Sequence, residues 1–239
     1  MRIAIVSDIH GNLTAFEAVL VDLRQTSPDL ILHGGDLPHG GAHPGEIVDQ
    51  IRDLGWPGVV GNTDEMLFNP NSLQDFASTL PQLQSLWTAI EEMGRATSEV
   101  LGEERLAWLR TLPRVYKHDS MALVHASPED LWRAPALEAS DTELESVYSP
   151  LGQPLVIYAH IHHSYIRPLP GITVVNTGSV SLSYDGDGRA AYLLLDDSKP
   201  TIRRVEYDLD WELKALATCG LPHADWIAKS LQSASPQMP

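Results

Sequence analysis

The chain opens on four apolar residues, Ile3-Ala4-Ile5-Val6, that give way abruptly to Ser7 and Asp8. A short run rich in branched side chains and ended by polar ones predicts a strand covered on both faces. From Asn12 the spacing changes. Leu13, Phe16, Val19, Leu20 and Leu23 recur at three and four, which predicts a helix with Asn12 as its cap. Residues 30–32 predict a second strand, ending in Gly34-Gly35-Asp36, and 46–54 a second helix with Ile47, Ile51 and Leu54 on one side. Val59-Val60 predicts a third strand, running into Gly61-Asn62. Residues 81–112 read as helical, with a weak break near Gly94. Beyond them 121–124, 155–158, 165–166, 172–175, 190–195 and 202–207 predict strands, punctuated by turn signals at Pro170-Gly171 and Asp185-Gly186. A strand and a helix over 205–218 would close the fold.

This order, helices and strands alternating at first and strands dominating later, predicts an α/β (α+β) chain. A single domain over 1–239 is expected, with 70–112 as a helical insert or lid and 230–239, rich in Ser, Gln and Pro, as a flexible tail. Apolar residues make up 43% of the sequence, enough to fill a core, and disorder is not the expectation.

Charge narrows the partners. Thirty-two acidic residues against sixteen basic ones leave a net charge of -16, so the surface repels nucleic acid and anionic membranes. A phosphate-bearing substrate would then need a local source of positive charge, which bound divalent cations provide. Extended nucleic acid is therefore disfavoured as a partner, and a small-molecule or nucleotide phosphoester is not. The first apolar run is too short for a signal peptide or a membrane span, and the single cysteine, Cys219, forms no intrachain disulfide; both favour a cytoplasmic location. Trp87, Trp108 and Trp132 are expected in the core, although packing at an interface, and so an oligomer, is compatible with the sequence.

Seven residues carry the candidate chemistry: Asp8, His10, Asp36, Asn62, His125, His160 and His162. Each follows a predicted strand. Singly, each has a bland reading, as a turn former or as a histidine satisfied by backbone. Together they place oxygen and imidazole ligands at four or five separate strand ends, which converge only if one edge of the molecule is a site. Carboxylates and neutral imidazoles without a thiolate suit manganese, iron or zinc better than magnesium or calcium. A shared carboxylate could hold two ions about 3.5–4 Å apart.

The ordered set Asp8-Ile9-His10-Gly11-Asn12, Gly34-Gly35-Asp36, Gly61-Asn62-Thr63-Asp64, His125 and Ala159-His160-Ile161-His162 resembles the calcineurin-like metallophosphoesterase family, in its small bacterial and archaeal phosphodiesterase branch. The resemblance implies a four-layer αββα sandwich, two packed mixed β-sheets flanked by helices, with a dinuclear metal centre at one edge. It implies that Asp8, His10 and His162 hold one metal, that Asn62, His125 and His160 hold the other, and that Asp36 bridges them. Two divalent ions are the implied cofactors, manganese first, with iron, zinc or nickel as alternatives. The implied activity is hydrolysis of a phosphodiester by a metal-bridging hydroxide, with Asp36, Asn62 and His125 positioning nucleophile and phosphate.

The chain departs from that pattern at Thr63, where many members carry a histidine able to protonate the leaving oxygen. This shifts the expectation from phosphatase toward phosphodiesterase. His39 or His43, in the Gly-rich loop after Asp36, could supply an acid, His39 being slightly favoured, although two solvated loop histidines without a role are the commoner case. Ala159 stands where glycine is common, and His163 is expected to turn away from the metal side by strand alternation. Residues 176–180 are expected to support the site, and Ser7, Ser127 and Ser179 to be structural. The alternatives are a phosphomonoesterase or protein phosphatase, a dinucleoside polyphosphate hydrolase, and, from another class, a non-catalytic interaction scaffold.

Overall fold

In the computed structural model, which describes residues 1–239, the first strand already shows how the layers are built. Along β1 (Arg2–Val6), Ile3 and Ile5 enter an apolar layer between two sheets, whereas Ala4 and Val6 pack under helices on the other face. The first sheet has the order β2-β1-β8-β9, with β2 (Leu30–His33) parallel to β1, and β8 (Ala190–Asp196) and β9 (Lys199–Val205) added antiparallel. The second has the order β3-β4-β5-β7-β6: β3 (Val115–His118), β4 (Met121–Val124), β5 (Leu155–Tyr158), β7 (Ile172–Asn176) and β6 (Tyr165–Leu169).

Met121, Leu123, Leu155, Ile157 and Val175 of the second sheet meet Ile3, Ile5, Leu32, Leu193 and Leu195 of the first. The first sheet's outer face is covered by α1 (Leu13–Thr26) and α2 (Pro44–Leu54), with α5 (Gln84–Leu109) packed against α2. The second sheet's outer face is covered by α6 (Asp141–Tyr148), whose Leu144 and Tyr148 lie on Val124, Val156 and Tyr158. The result is the expected αββα sandwich. Asn12 caps α1 as expected, its side chain accepting from the Ala15 amide at 2.9 Å. No helix is long and apolar enough to cross a membrane.

Several elements differ from expectation. Val59-Val60 forms no strand: only Gly58 bridges to His33, and the Val60 amide donates to the Pro113 carbonyl instead. Pro57, without an N–H, cannot extend the ladder. Asn62 therefore begins a helix, α3 (Asn62–Phe68), rather than closing a strand. A further helix, α4 (Asn71–Ala77), follows it. The long helix α5 breaks at Gly102 (φ 68°), while Gly94 stays helical. After β9 come α7 (Leu209–Thr218) and an unforeseen α8 (Ala224–Ser233), so the tail expected to be loose from Ser230 remains helical to Ser233, with Ser230 and Leu231 buried.

Candidate metal centre

Asp8 and His10 follow β1, Asp36 follows β2, His125 follows β4, and His160 and His162 follow β5. Within each sheet these strands run parallel, so their carboxyl ends share one edge. Asn62 arrives there from the first turn of α3. The seven predicted residues form one unbroken series of contacts. Asp8 Oδ1 lies 3.3 Å from His162 Nε2, which lies 3.3 Å from His10 Nε2. His10 Nε2 is 3.8 Å from Asp36 Oδ2, and Asp36 Oδ2 is 3.5 Å from His125 Nε2. Asn62 Oδ1 closes the series, 2.8 Å from His125 Nε2 and 3.0 Å from His160 Nδ1.

The histidine rings are oriented from behind. His10 Nδ1 donates to the His39 carbonyl at 2.7 Å, His125 Nδ1 to that of Gly34 at 2.8 Å, and His162 Nδ1 to that of Leu182 at 2.6 Å. With the proton committed to Nδ1, each Nε2 presents its lone pair to the site. Tyr184 stacks on His162, ring centroids 4.7 Å apart, and so fixes that ring further.

This arrangement collects acceptors without donors. His10 Nε2 faces His162 Nε2, His125 Nε2 faces Asn62 Oδ1, and both oxygens of the fully buried Asp8 lack a hydrogen-bond partner. Converging lone pairs repel unless a cation lies among them, and metal bonds of about 2.0–2.2 Å set adjacent ligand atoms roughly 3.0–3.4 Å apart. The donor set and its spacing fit divalent cations. Asp8, His10 and His162 form one candidate group, and Asp8, Asp36 and His125 a second. Both carboxylates thus stand between the two halves, Asp36 through the one oxygen that reaches toward His10 and His125.

Charge responds to this crowding. Burial alone would raise the Asp36 carboxyl, but His125 first and His10 next hold it below the ordinary range. Burial likewise opposes ionisation of Asp8, and His162 with His125 outweighs it. Burial holds His160 down to about 4, with neighbouring His125 pushing the same way, so its ring is neutral near pH 7.

The backbone is strained at the same places. Asp8 (φ 52°), His10 (φ 49°), Asp36 (φ 55°), His160 (φ 68°) and His162 (φ 58°) all adopt the left-handed conformation. Each such residue costs roughly 1–3 kcal/mol, which the surrounding structure sustains where function requires it. The turn after Tyr158 is therefore no strand, and His163 is kept out differently than expected. Its Nδ1 donates to the Ile161 carbonyl at 2.8 Å.

His39 and His43 separate. His43 sits at the N-cap of α2, away from the cluster, with Nδ1 3.5 Å from Glu46. His39 is buried, its Nε2 turned to the Ile90 carbonyl at 3.4 Å, and burial pulls its imidazole down to about 4. A ring so placed is neutral near pH 7, which weighs against its serving as an acid; its carbonyl, by contrast, orients His10. Ser179 donates to the Asp8 carbonyl at 2.8 Å, and Asn176 Nδ2 to that of Ala159 at 2.6 Å, so residues 176–180 brace the two ligand loops.

Asp64 carries a role that the sequence reading did not assign. Its fully buried carboxylate accepts from the amides of Asp36 (2.8 Å), Leu37 (2.9 Å) and Gly61 (2.8 Å), tying the Asp36 loop to the start of α3. Gly61 is confined there, because a Cβ would overlap the Asp36 carboxylate. Burial and the nearby Asp36 push the Asp64 carboxyl up to about 7, against the pull of the amides. Its position three residues after the cap of a helix was the available signal. Asp64→Ala is expected to destabilise the metal-free protein by at least about 3 kcal/mol, since three buried amides lose their acceptor at about 1–3 kcal/mol each. Urea denaturation measures this, and a loss below about 1 kcal/mol would contradict the clamp.

A cleft of about 160 Å³ opens beside the cluster, lined on one side by His10, Asp36, Asn62, His160 and His162. Thr63 also lines it, its amide donating to Asp36 Oδ1 at 3.0 Å and its hydroxyl unpartnered.

Residues 1–199 match the calcineurin-like phosphoesterase superfamily domain. An uncharacterized protein of Methanocaldococcus jannaschii is 29% identical over 252 residues, covering 96% of each chain. A symmetrical bis(5'-nucleosyl)-tetraphosphatase of Methylococcus capsulatus is 30% identical over 150 residues, 62% of this chain and 50% of its own length. The crystal structure of a metallophosphoesterase from Sphaerobacter thermophilus superposes with a TM-score of 0.78 at 25% identity, over 98% of this chain and 100% of that one.

Proposed function

The chain belongs to the calcineurin-like phosphoesterase superfamily, and we propose that it is a two-metal phosphodiesterase acting on a small-molecule or nucleotide substrate. Asp8, His10 and His162 would hold one divalent cation and Asn62, His125 and His160 the other, with Asp36 between them. Manganese is proposed first for this carboxylate and imidazole set. Such ions supply a water acidified toward neutrality and positive charge for the phosphoryl oxygens. The chain's own part is to fix the ligand atoms before substrate arrives: three backbone carbonyls aim the imidazoles, the Thr63 amide orients Asp36, and Asp64 locks the loop that carries it. We place this activity in the cytoplasm, in line with a single cysteine and no disulfide.

The observation that carries the diester reading is that none of the residues lining the cleft is a lysine or an arginine. Two divalent cations set against Asp8, Asp36 and a metal-held hydroxide leave one net positive charge, which matches a monoanionic diester better than a tetraphosphate chain. Thr63 points the same way, since a threonine hydroxyl is no useful acid near neutral pH and leaving groups that need a proton would depart slowly. The second reading, a dinucleoside polyphosphate hydrolase, is favoured by the similarity to the Methylococcus capsulatus tetraphosphatase.

A substrate panel on the manganese-loaded protein decides between them. Bis(p-nitrophenyl) phosphate is expected to be hydrolysed at least about tenfold more efficiently, as kcat/KM, than p-nitrophenyl phosphate or diadenosine tetraphosphate. The reverse order for either competitor would replace the diester reading with that competitor's.

A further inference from the structure

Helices α7 and α8 lie beyond the 199 residues that match the family description, yet α8 reaches the cleft. Trp226 and Ile227 of α8 pack with Met93 and Ile90 of α5 in one apolar cluster, and all four line the cleft together with Trp132. The cleft is therefore two-sided: ligand atoms for cations on one side, and aromatic and aliphatic side chains without a formal charge on the other. Its volume of about 160 Å³ is below the roughly 300–1,000 Å³ of sites that enclose drug-sized ligands. The cleft encloses room for a phosphoryl group and one ring. Two donors on lining residues, Thr63 Oγ1 and Trp132 Nε1, are buried without a partner.

We infer that the C-terminal helix supplies the substrate-recognising wall of this enzyme, and that the ester arm it accepts is a single aryl ring carried on the phosphoryl oxygen, which narrows the proposed substrates to aryl phosphoesters rather than nucleotides, whose ester arm is a sugar. The inference rests on the phosphoesterase reading, because the metal side is what anchors the phosphoryl group. A flat ring laid against Trp226 and Ile227 leaves water for an apolar surface. A polyhydroxylated arm would leave its hydroxyls against apolar side chains, which is unfavourable.

Isothermal titration calorimetry of the manganese-loaded full-length protein with inorganic phosphate, methylphosphonate and phenylphosphonate tests this without turnover. Phenylphosphonate is expected to bind at least about tenfold more tightly than methylphosphonate. Trp226→Ala is expected to remove most of that difference with the methylphosphonate Kd changed by no more than about twofold, and Trp226→Phe to retain it. Should Trp226→Ala disturb the folding of α8, Ile90→Ala trims the same wall from α5 and is expected to narrow the difference as well. Equal affinity for the two phosphonates, or a preference that survives both alanine substitutions, overturns the aromatic wall while leaving the phosphoesterase reading intact. Failure of all three anions to bind the metal-loaded protein overturns both.

Discussion

Asp36→Asn is expected to lower turnover of bis(p-nitrophenyl) phosphate by about 10³-fold while the protein stays folded. The asparagine keeps the shape of the side chain and an oxygen for the Thr63 amide, which now donates to Oδ1 at 3.0 Å. What it loses is the negative charge of the oxygen placed 3.8 Å from His10 Nε2 and 3.5 Å from His125 Nε2, between the two halves of the centre. Cations held close together repel one another, and a shared carboxylate is what offsets that repulsion. Losing the transition-state stabilisation of one ion forfeits several kcal/mol, and about 4 kcal/mol corresponds to the stated factor. Steady-state kinetics beside a circular dichroism melt would measure both parts. Unchanged kcat in a folded variant would remove Asp36 from the reaction.

Thr63→His is expected to have the second largest effect, and in the opposite direction. Thr63 lines the cleft, 8% exposed, with its backbone pinned to Asp36, so a larger side chain at this position extends toward bound substrate. A protonating imidazole accelerates departure of a poor leaving group by about 10²–10⁴-fold and does little for a good one. The variant should therefore raise kcat for alkyl phosphodiesters by on the order of 10²-fold and leave bis(p-nitrophenyl) phosphate nearly unchanged. Equal change for both leaving groups, or none for either, would show that the identity of this residue does not limit the release of the alcohol.

Much of the candidate site's placement was readable because the fold puts polar residues immediately after apolar strands. Asp8, His10, Asp36, His125, His160 and His162 each stand out against a run of branched residues, and parallel pairing carries those ends to one edge. Asn62 was found on its motif but placed on the wrong element. Val59-Val60 looks like a strand, and nothing local reveals that Val60 bonds to Pro113, which is remote in sequence. The same limit hid α6 and α8, helices of eight and ten residues whose order comes from tertiary packing rather than from a long periodic stripe. Asp64 and Tyr184 escaped for a related reason. One acts through three backbone amides and the other through the face of a single ring, and neither contact leaves a periodic trace. The left-handed backbone at five of the seven candidate residues was equally silent, since non-glycine residues do not announce positive φ.

The central claim is that these seven side chains hold two cations, and counting the metal tests it most directly. Protein loaded with manganese, freed of excess ion by gel filtration and analysed by inductively coupled plasma mass spectrometry should retain about two ions per chain. The Asp36→Asn variant should retain about one or fewer. A wild-type chain that keeps no manganese, or a variant that keeps as much as wild type, would contradict the account.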